Sequence, residues 1–178
     1  MDVFETIERR RSVRAFRDGR VKDEDLTKML TAAILAPSAG NIQPWEFIVT
    51  RDADVRRDLA RAALRQTWME EAPVIITVCT RGEASASRYG DRGRRLYCIQ
   101  DTAAAVENIL LASTALGYGS CWVGAFDEGE VRRVLKIPKG IRPVAMIPMG
   151  VPGERPEARS RRDLKRVVHS EVYGEQRF

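Results

Sequence analysis

Cysteine, histidine and long apolar runs are what this 178-residue chain has least of. Its three cysteines, Cys79, Cys98 and Cys121, lie far apart. An odd and widely spaced set does not make a disulfide framework, and the three read as small buried apolar residues. There is no Cys-x-x-Cys, and one histidine, His169, is too few for a typical zinc site. No metal is expected. The best apolar run, Val74-Ile75-Ile76-Thr77-Val78-Cys79, is the length of a strand and not of a membrane span. Met1-Asp2-Val3-Phe4-Glu5 puts no basic flank ahead of an apolar stretch, so no secretory signal is read and a cytoplasmic location is expected.

A strong excess of one charge is missing too. Thirty Lys and Arg stand against 25 Asp and Glu, a net charge of +5. Acidic residues interrupt the basic ones almost everywhere, as in Arg51-Asp52-Ala53-Asp54-Val55-Arg56-Arg57-Asp58, which is the pattern of a solvated helix face. Neither a nucleic-acid partner nor a membrane partner is expected. The exception runs from Arg155 to Arg166, where Arg155, Arg159, Arg161, Arg162, Lys165 and Arg166 crowd together. A cluster that local suits one phosphate group.

Two nucleotide-binding fingerprints also fail. Gly117-Tyr118-Gly119 begins like Gly-x-Gly-x-x-Gly, but position 122 is Trp. The segment also follows a helical pattern and precedes a strand, whereas a dinucleotide turn needs the helix N-terminus to meet the pyrophosphate. No Gly-x-x-x-x-Gly-Lys-[Ser/Thr] occurs.

What is present is an alternation of helices and strands in one domain, residues 1–178. Asp2 caps a first helix through Arg9, with Val3, Phe4 and Ile7 on its apolar face. Asp23 or Asp25 opens a second, in which Leu26, Met29, Leu30, Ala33 and Ile34 recur at helical spacing until Pro37 stops it. Trp45–Thr50 reads as a strand, Ala53 to about Arg65 as a charged amphipathic helix, and Val74–Cys79 as a buried strand. Residues 81–95, with three Gly, two Ser and five Arg, read as the longest irregular segment, the kind that serves as a lid. Asp101–Leu116, rich in Ala and Leu, reads as a helix buried on most sides and ended by Gly117. Ser120–Val123 and Arg142–Met149 read as strands, and Asp127 caps a short helix between them. An extended tail starts at Pro152.

Three segments carry the candidate chemistry. Arg10-Arg11-Ser12-Val13-Arg14 follows the first helix; extended, it sets Arg10, Ser12 and Arg14 on one side. Taken alone, it also fits a basic helix C-terminus complementing its dipole. Pro37-Ser38-Ala39-Gly40-Asn41-Ile42-Gln43-Pro44-Trp45 combines small residues, which admit a flat ligand close to the backbone, with two amides. Taken alone, it also fits a helix-to-strand turn. Arg159-Ser160-Arg161 supplies a second basic pair.

In this order the segments resemble the FMN-dependent nitroreductase family, from Phe4 to about His169. The resemblance implies an α+β fold, a mainly antiparallel sheet flanked by helices, in an intertwined homodimer. The helix from Asp101 would lie at the interface, and residues from about 153 onward would embrace the partner. It implies non-covalent FMN, with its phosphate held by Arg10, Arg11, Arg14, Arg159 and Arg161. The segment Arg10, Arg11, Ser12 and Arg14 as a whole would contact the phosphate, the ribityl chain and the ring edge. Pro37, Ser38, Ala39 and Asn41 would come from the other subunit, Gln66 would sit near the ribityl chain or ring, and the backbone of Val123 and Gly124 would lie near flavin N5. Trp45 and Trp122 read as core aromatics, and His169 as structural. The family's usual Pro after the last basic pair is replaced by Asp163, which leaves that register open.

The implied activity is ping-pong hydride transfer from NADH or NADPH, through FMN, to a nitroaromatic, quinone or similar small acceptor. No side chain is then an obligatory acid or base, because the flavin carries the redox chemistry. A flavin-binding or sensing protein without turnover, or a flavin-fragmenting or dehalogenating relative, is the alternative.

Overall fold

The computed structural model describes residues 1–175. Local signals start and stop most helices. In α1 (Val3–Arg9) the Asp2 carboxylate accepts the Glu5 N–H at 2.8 Å, and Arg9 closes the last turn. Helix α2 (Asp23–Ile34) has no side-chain cap; Asp23, Glu24 and Asp25 instead face its positive end. In α3 (Ala53–Ala62) Asp52 accepts from Asp54 and Val55, both at 3.0 Å. This helix ends short of Arg65 because Leu64 and Arg65 both adopt left-handed backbone, φ 56° and 60°.

The expected irregular segment is a correction. Residues 82–92 form helix α4 (Gly82–Arg92), and a wide turn, Gly93–Tyr97, leads directly into α5 (Cys98–Ala115). The three glycines punctuate this region without dissolving it. Gly90, at φ 56° and ψ −145°, breaks the helix. Gly93 lies where a Cβ would come 2.2 Å from the Ser85 carbonyl, and Glu83 receives Arg94 through two hydrogen bonds of 2.7 and 2.9 Å. The short α6 (Glu128–Val134) has Asp127 as its cap, as its sequence implies.

Four antiparallel strands lie in the order β1-β2-β4-β3, with β1 Trp45–Thr50, β2 Val74–Thr80, β3 Gly119–Ser120 and β4 Arg142–Gly150. Beyond β3 the chain keeps only isolated bonds to β4 among the described residues, Cys121 N–H to the Pro148 carbonyl and the Val123–Met146 bridge, so the expected strand Ser120–Val123 is shorter than its apolar pattern suggests. Strand alternation then sorts the core. Val74, Ile76 and Val78 share one face with Ile147 and Met149, under Met29 of α2 and Val106 and Ile109 of α5. Ile75, Cys79 and Met146 share the other with Leu59 of α3, Met69 and Val131 of α6. All seven side chains of β2 are buried, which explains its unbroken apolar run. The three cysteines are free and buried, and burial pushes the Cys79 thiol up to about 12.

Gly117 and Gly119, the false start of a dinucleotide fingerprint, have plain structural duties. Gly117 ends α5 at φ 83°, and a Cβ on Gly119 would come 2.7 Å from Val13 Cγ1. That close approach lets the chain after α1 lie against β3.

Candidate functional site

Segment 10–14 is extended, as its alternation implies, and it continues the sheet. Ser12 bridges Ser120 in parallel, and the Val13 N–H donates to the Ser120 carbonyl at 3.0 Å. Farther along, Arg17 donates to Val151 at 3.1 Å and Gly153 donates to Ala15 at 2.8 Å, so the same segment also pairs with the start of the tail. Glu154 completes the seam. Its Oε1 accepts from the backbone N–H groups of Arg14, at 2.6 Å, and Ala15, at 3.2 Å.

The result is a cleft of about 520 Å³ whose lining includes Arg10, Arg11, Ser12 and Arg14 from the first segment, Arg159 and Arg161 from the tail, and two acids, Glu8 and Glu157. Two basic clusters nearly 150 positions apart in sequence thus share one wall-to-wall space. Their charges are largely unspent. Among the described residues, Arg11, Arg14, Arg159 and Arg161 have no carboxylate within 4.0 Å, and Arg10 has only Glu107 at 3.9 Å. Several arginines elsewhere are paired, as Arg57 with Asp54 at 2.9 Å, Arg61 with Asp58 at 3.1 Å and Arg142 with Glu128 at 2.6 Å. Arginines left without a counter-ion beside a backbone-lined cleft are the donor set for a phosphate monoester. The residues present fit the phosphate of FMN.

Next to this cleft the structure gathers a second group. The Arg14 guanidinium lies over the Trp68 ring, 5.9 Å from its centroid. Two residues before Trp68, the Gln66 amide donates to the Ala125 carbonyl at 3.3 Å. The paired left-handed residues Leu64 and Arg65 aim this turn, a strained arrangement that the chain keeps. Gln66 is therefore beside the Val123–Ala125 segment, and that segment continues from the strand that Ser12 pairs with. Gly124 has room to spare: a Cβ there would meet nothing closer than Trp122 Nε1, at 3.9 Å. Neither packing nor a left-handed φ within this chain demands glycine at that position. Burial pushes the Cys121 thiol upward, opposed by the nearby Arg14 charge.

Trp122 corrects the expectation of a core aromatic, since it is 40 % exposed; Trp45 is buried as expected. Pro37, Ser38, Ala39 and Asn41 do not line the basic cleft. They form a tight turn (Ala39–Asn41) against α4 and α5, with Arg88 donating to the Gly40 carbonyl at 3.3 Å. His169 is clear of the cleft; its Nδ1 accepts the Gly174 N–H at 3.3 Å and its ring tilts on Tyr173. Sequence reasoning missed Glu154 and Trp68. Trp68 follows Gln66 by two positions and signals itself faintly, whereas Glu154 is one surface acid among many until the fold brings it to Arg14.

A model of the family described as the nitroreductase family matches residues 7–68 and 61–151. The chain belongs to that family. It is 38% identical over 155 residues to an Archaeoglobus fulgidus protein provisionally named NADH dehydrogenase/NAD(P)H nitroreductase, covering 85% of this chain and 86% of that one. An FMN reductase [NAD(P)H] of Bacillus subtilis is 26% identical over 185 residues, covering 97% of this chain and 74% of its own. Among solved structures, the NADPH:FMN oxidoreductase of Vibrio harveyi complexed with NAD+ superposes with a TM-score of 0.89 at 25% identity, over 98% of this nitroreductase-family chain and 79% of that one.

Proposed function

We propose that this chain is an FMN-dependent NAD(P)H oxidoreductase that works as a homodimer on a nitroaromatic, quinone or related small acceptor. The observation that carries the reading is the cleft in which Arg11, Arg14, Arg159 and Arg161, from both ends of the chain, have no carboxylate within 4.0 Å among the described residues. Relatives named as FMN reductase and as NADPH-flavin oxidoreductase support it. When bound, FMN supplies the redox chemistry, taking a hydride from NADH or NADPH and passing reducing equivalents to the acceptor.

The chain's own residues bind, orient and leave space. Arg10, Arg11, Arg14, Arg159 and Arg161 hold the phosphate by charge-assisted hydrogen bonds, and Ser12 adds a hydroxyl. Gln66 presents an amide beside the Val123–Ala125 segment, where Gly124 carries no side chain and admits a planar ring. Donor and acceptor then use one open face in turn, with no side chain required as acid or base.

The loop Pro37–Asn41 serves the second subunit's site, in keeping with its place away from its own chain's basic cleft. Phe4 at 80 % and Leu35 at 76 % exposure, with Val3, Ile7 and Ile34 also exposed, supply apolar surface for that second copy. Residues from about 153 onward extend over it as one domain's C-terminal arm; the last of them, 176–178, lie outside the described residues. Among the described residues no helix is long and apolar enough to cross a membrane. Three free buried cysteines suit a reducing, cytoplasmic compartment.

Anaerobic rapid mixing tests this directly. The purified protein is expected to be yellow, to release about one FMN per chain on denaturation, and to be bleached by NADH or NADPH within a turnover time (a second or less at common enzyme rates, about 1–10³ s⁻¹). Bound FMN that neither donor reduces identifies a flavin binder; a protein that takes up no FMN ends the proposal.

A further inference from the structure

Asp101 is a carboxyl group in a place that penalises one. It sits in the first turn of α5 and is 6 % exposed. Its Oδ1 accepts the backbone N–H of Ala39 at 3.0 Å, across 62 residues of chain. Its Oδ2 is buried without a hydrogen-bond partner among the described residues. Burial pushes the carboxyl above its usual range, and the Ala39 hydrogen bond opposes that shift. Desolvating a carboxyl group to satisfy a single amide is costly, so the amide's position has to matter.

The amide opens a loop that resists its own conformation. Gly40, Asn41 and Gln43 all have left-handed backbone, φ 57°, 56° and 54°. Asparagine tolerates this and glutamine does so poorly. The loop's internal bonds, Asn41 N–H to the Ser38 carbonyl at 2.9 Å and Gln43 N–H to Ser38 Oγ at 3.0 Å, shape the turn but do not attach it to the body. Attachment comes from Arg88 on the exposed side, from Arg81 donating to the Pro44 carbonyl at 2.8 Å, and from Asp101 beneath the turn. Strained segments persist only where their surroundings over-determine them.

We infer that Asp101 is a positioning residue: by accepting the Ala39 N–H it holds the Ser38–Asn41 loop in its strained turn and so sets FMN affinity without belonging to the flavin-contacting set. This rests on the assignment of that loop to the flavin site. The role depends on an acceptor oxygen at this point and not on a negative charge. Asparagine satisfies that requirement; leucine, of similar size, does not.

Asp101→Asn and Asp101→Leu are compared with the wild-type protein by amide hydrogen exchange without FMN and by FMN titration. In the Leu variant, exchange at Asn41 and Gln43 is expected to be about tenfold faster or more, as a restraint on local opening is lost. Its FMN dissociation constant is expected to rise by about tenfold, the scale of one net hydrogen bond. The Asn variant should match wild type in both. Unchanged exchange in the Leu variant, or equal loss of FMN in Asn and Leu, overturns the inference.

If the Leu variant does not fold, Ala39→Pro removes the same hydrogen bond from the loop side. Ser38 already has the extended backbone, φ −140° and ψ 149°, that precedes proline readily. Faster exchange at Asn41 and Gln43 supports the inference, and unchanged exchange overturns it. Should wild type bind no FMN, the proposed function fails while the exchange data still decide what Asp101 does.

Discussion

The Glu154 carboxylate accepts the backbone N–H of Arg14 at 2.6 Å and leaves the Arg14 guanidinium free to lie over Trp68. An acid thereby binds the backbone of the segment that lines the basic cleft without neutralising the arginine it holds. It fixes the spacing of the two basic segments, because residue 154 starts the arm that carries Arg159 and Arg161. Glu154→Ala is expected to weaken FMN binding by about tenfold, through loss of charge-assisted hydrogen bonds. Glu154→Gln keeps an acceptor oxygen and should lose much less. Flavin fluorescence titration separates the two variants.

Arg14→Ala and Arg161→Ala should each weaken FMN binding by about 1.5–3 kcal/mol, the range for hydrogen bonds to a charged group. Arg57→Ala is the control, since that arginine is exposed on α3 and paired with Asp54. Flavin content of the three purified variants reads out the difference. Normal content in both cleft variants would make those arginines ordinary surface charges.

Mixed dimers test the cross-subunit assignment of the loop. One protomer carries Asn41→Ala and its partner Arg14→Ala. If the loop serves the opposite site, one site collects both lesions and the other is intact, so tight FMN binding returns at half stoichiometry. If both motifs serve the same chain's site, verified mixed dimers have no intact site and no tight binding.

Asp25 links α2 to the end of α5, accepting from Tyr118 Oη at 2.9 Å and Lys28 Nζ at 3.0 Å. The Lys28 and Tyr118 hydrogen bonds hold its carboxyl below the usual range. A lowered carboxylate pKa contributes stability above the unfolded value, near 3.8, and that contribution fades as pH falls through the folded value. Asp25→Asn should therefore lower Tm at neutral pH, with the gap to wild type closing as pH drops below about 4. Thermal melts across that range check the sign.

Asp101 has the opposite sign. Its raised pKa means the native state binds the proton more tightly, so its contribution is fully present below the unfolded value and declines as pH rises through the folded one. Asp101→Asn should melt at or above wild type at neutral pH, and the advantage should shrink toward acid. A variant that melts lower at neutral pH and recovers in acid would show that the charge itself is stabilising.

Much of this protein was determined by short stretches of its sequence. The caps at Asp2, Asp52 and Asp127, the strand at Trp45–Thr50 and the fully buried run of β2 depend on neighbours a few residues apart, and residue pattern reports such neighbours well. The family was legible for the same reason, since its motifs are local groups such as Arg10–Arg14 and Pro37–Asn41. Tertiary structure decided the rest. Residues 82–97 look irregular because their glycines are read one at a time, yet packing on Ser85 and the Glu83–Arg94 pair make them helical. Trp122 is exposed because Cys121 and Val123 on either side of it turn inward against β4, which no apolar count foretells. The juxtaposition of Arg14 with Glu154, and of Ala39 with Asp101, depends on chain closures of 140 and 62 residues. Such contacts are chosen by how sheet and helices pack, and no local propensity encodes them.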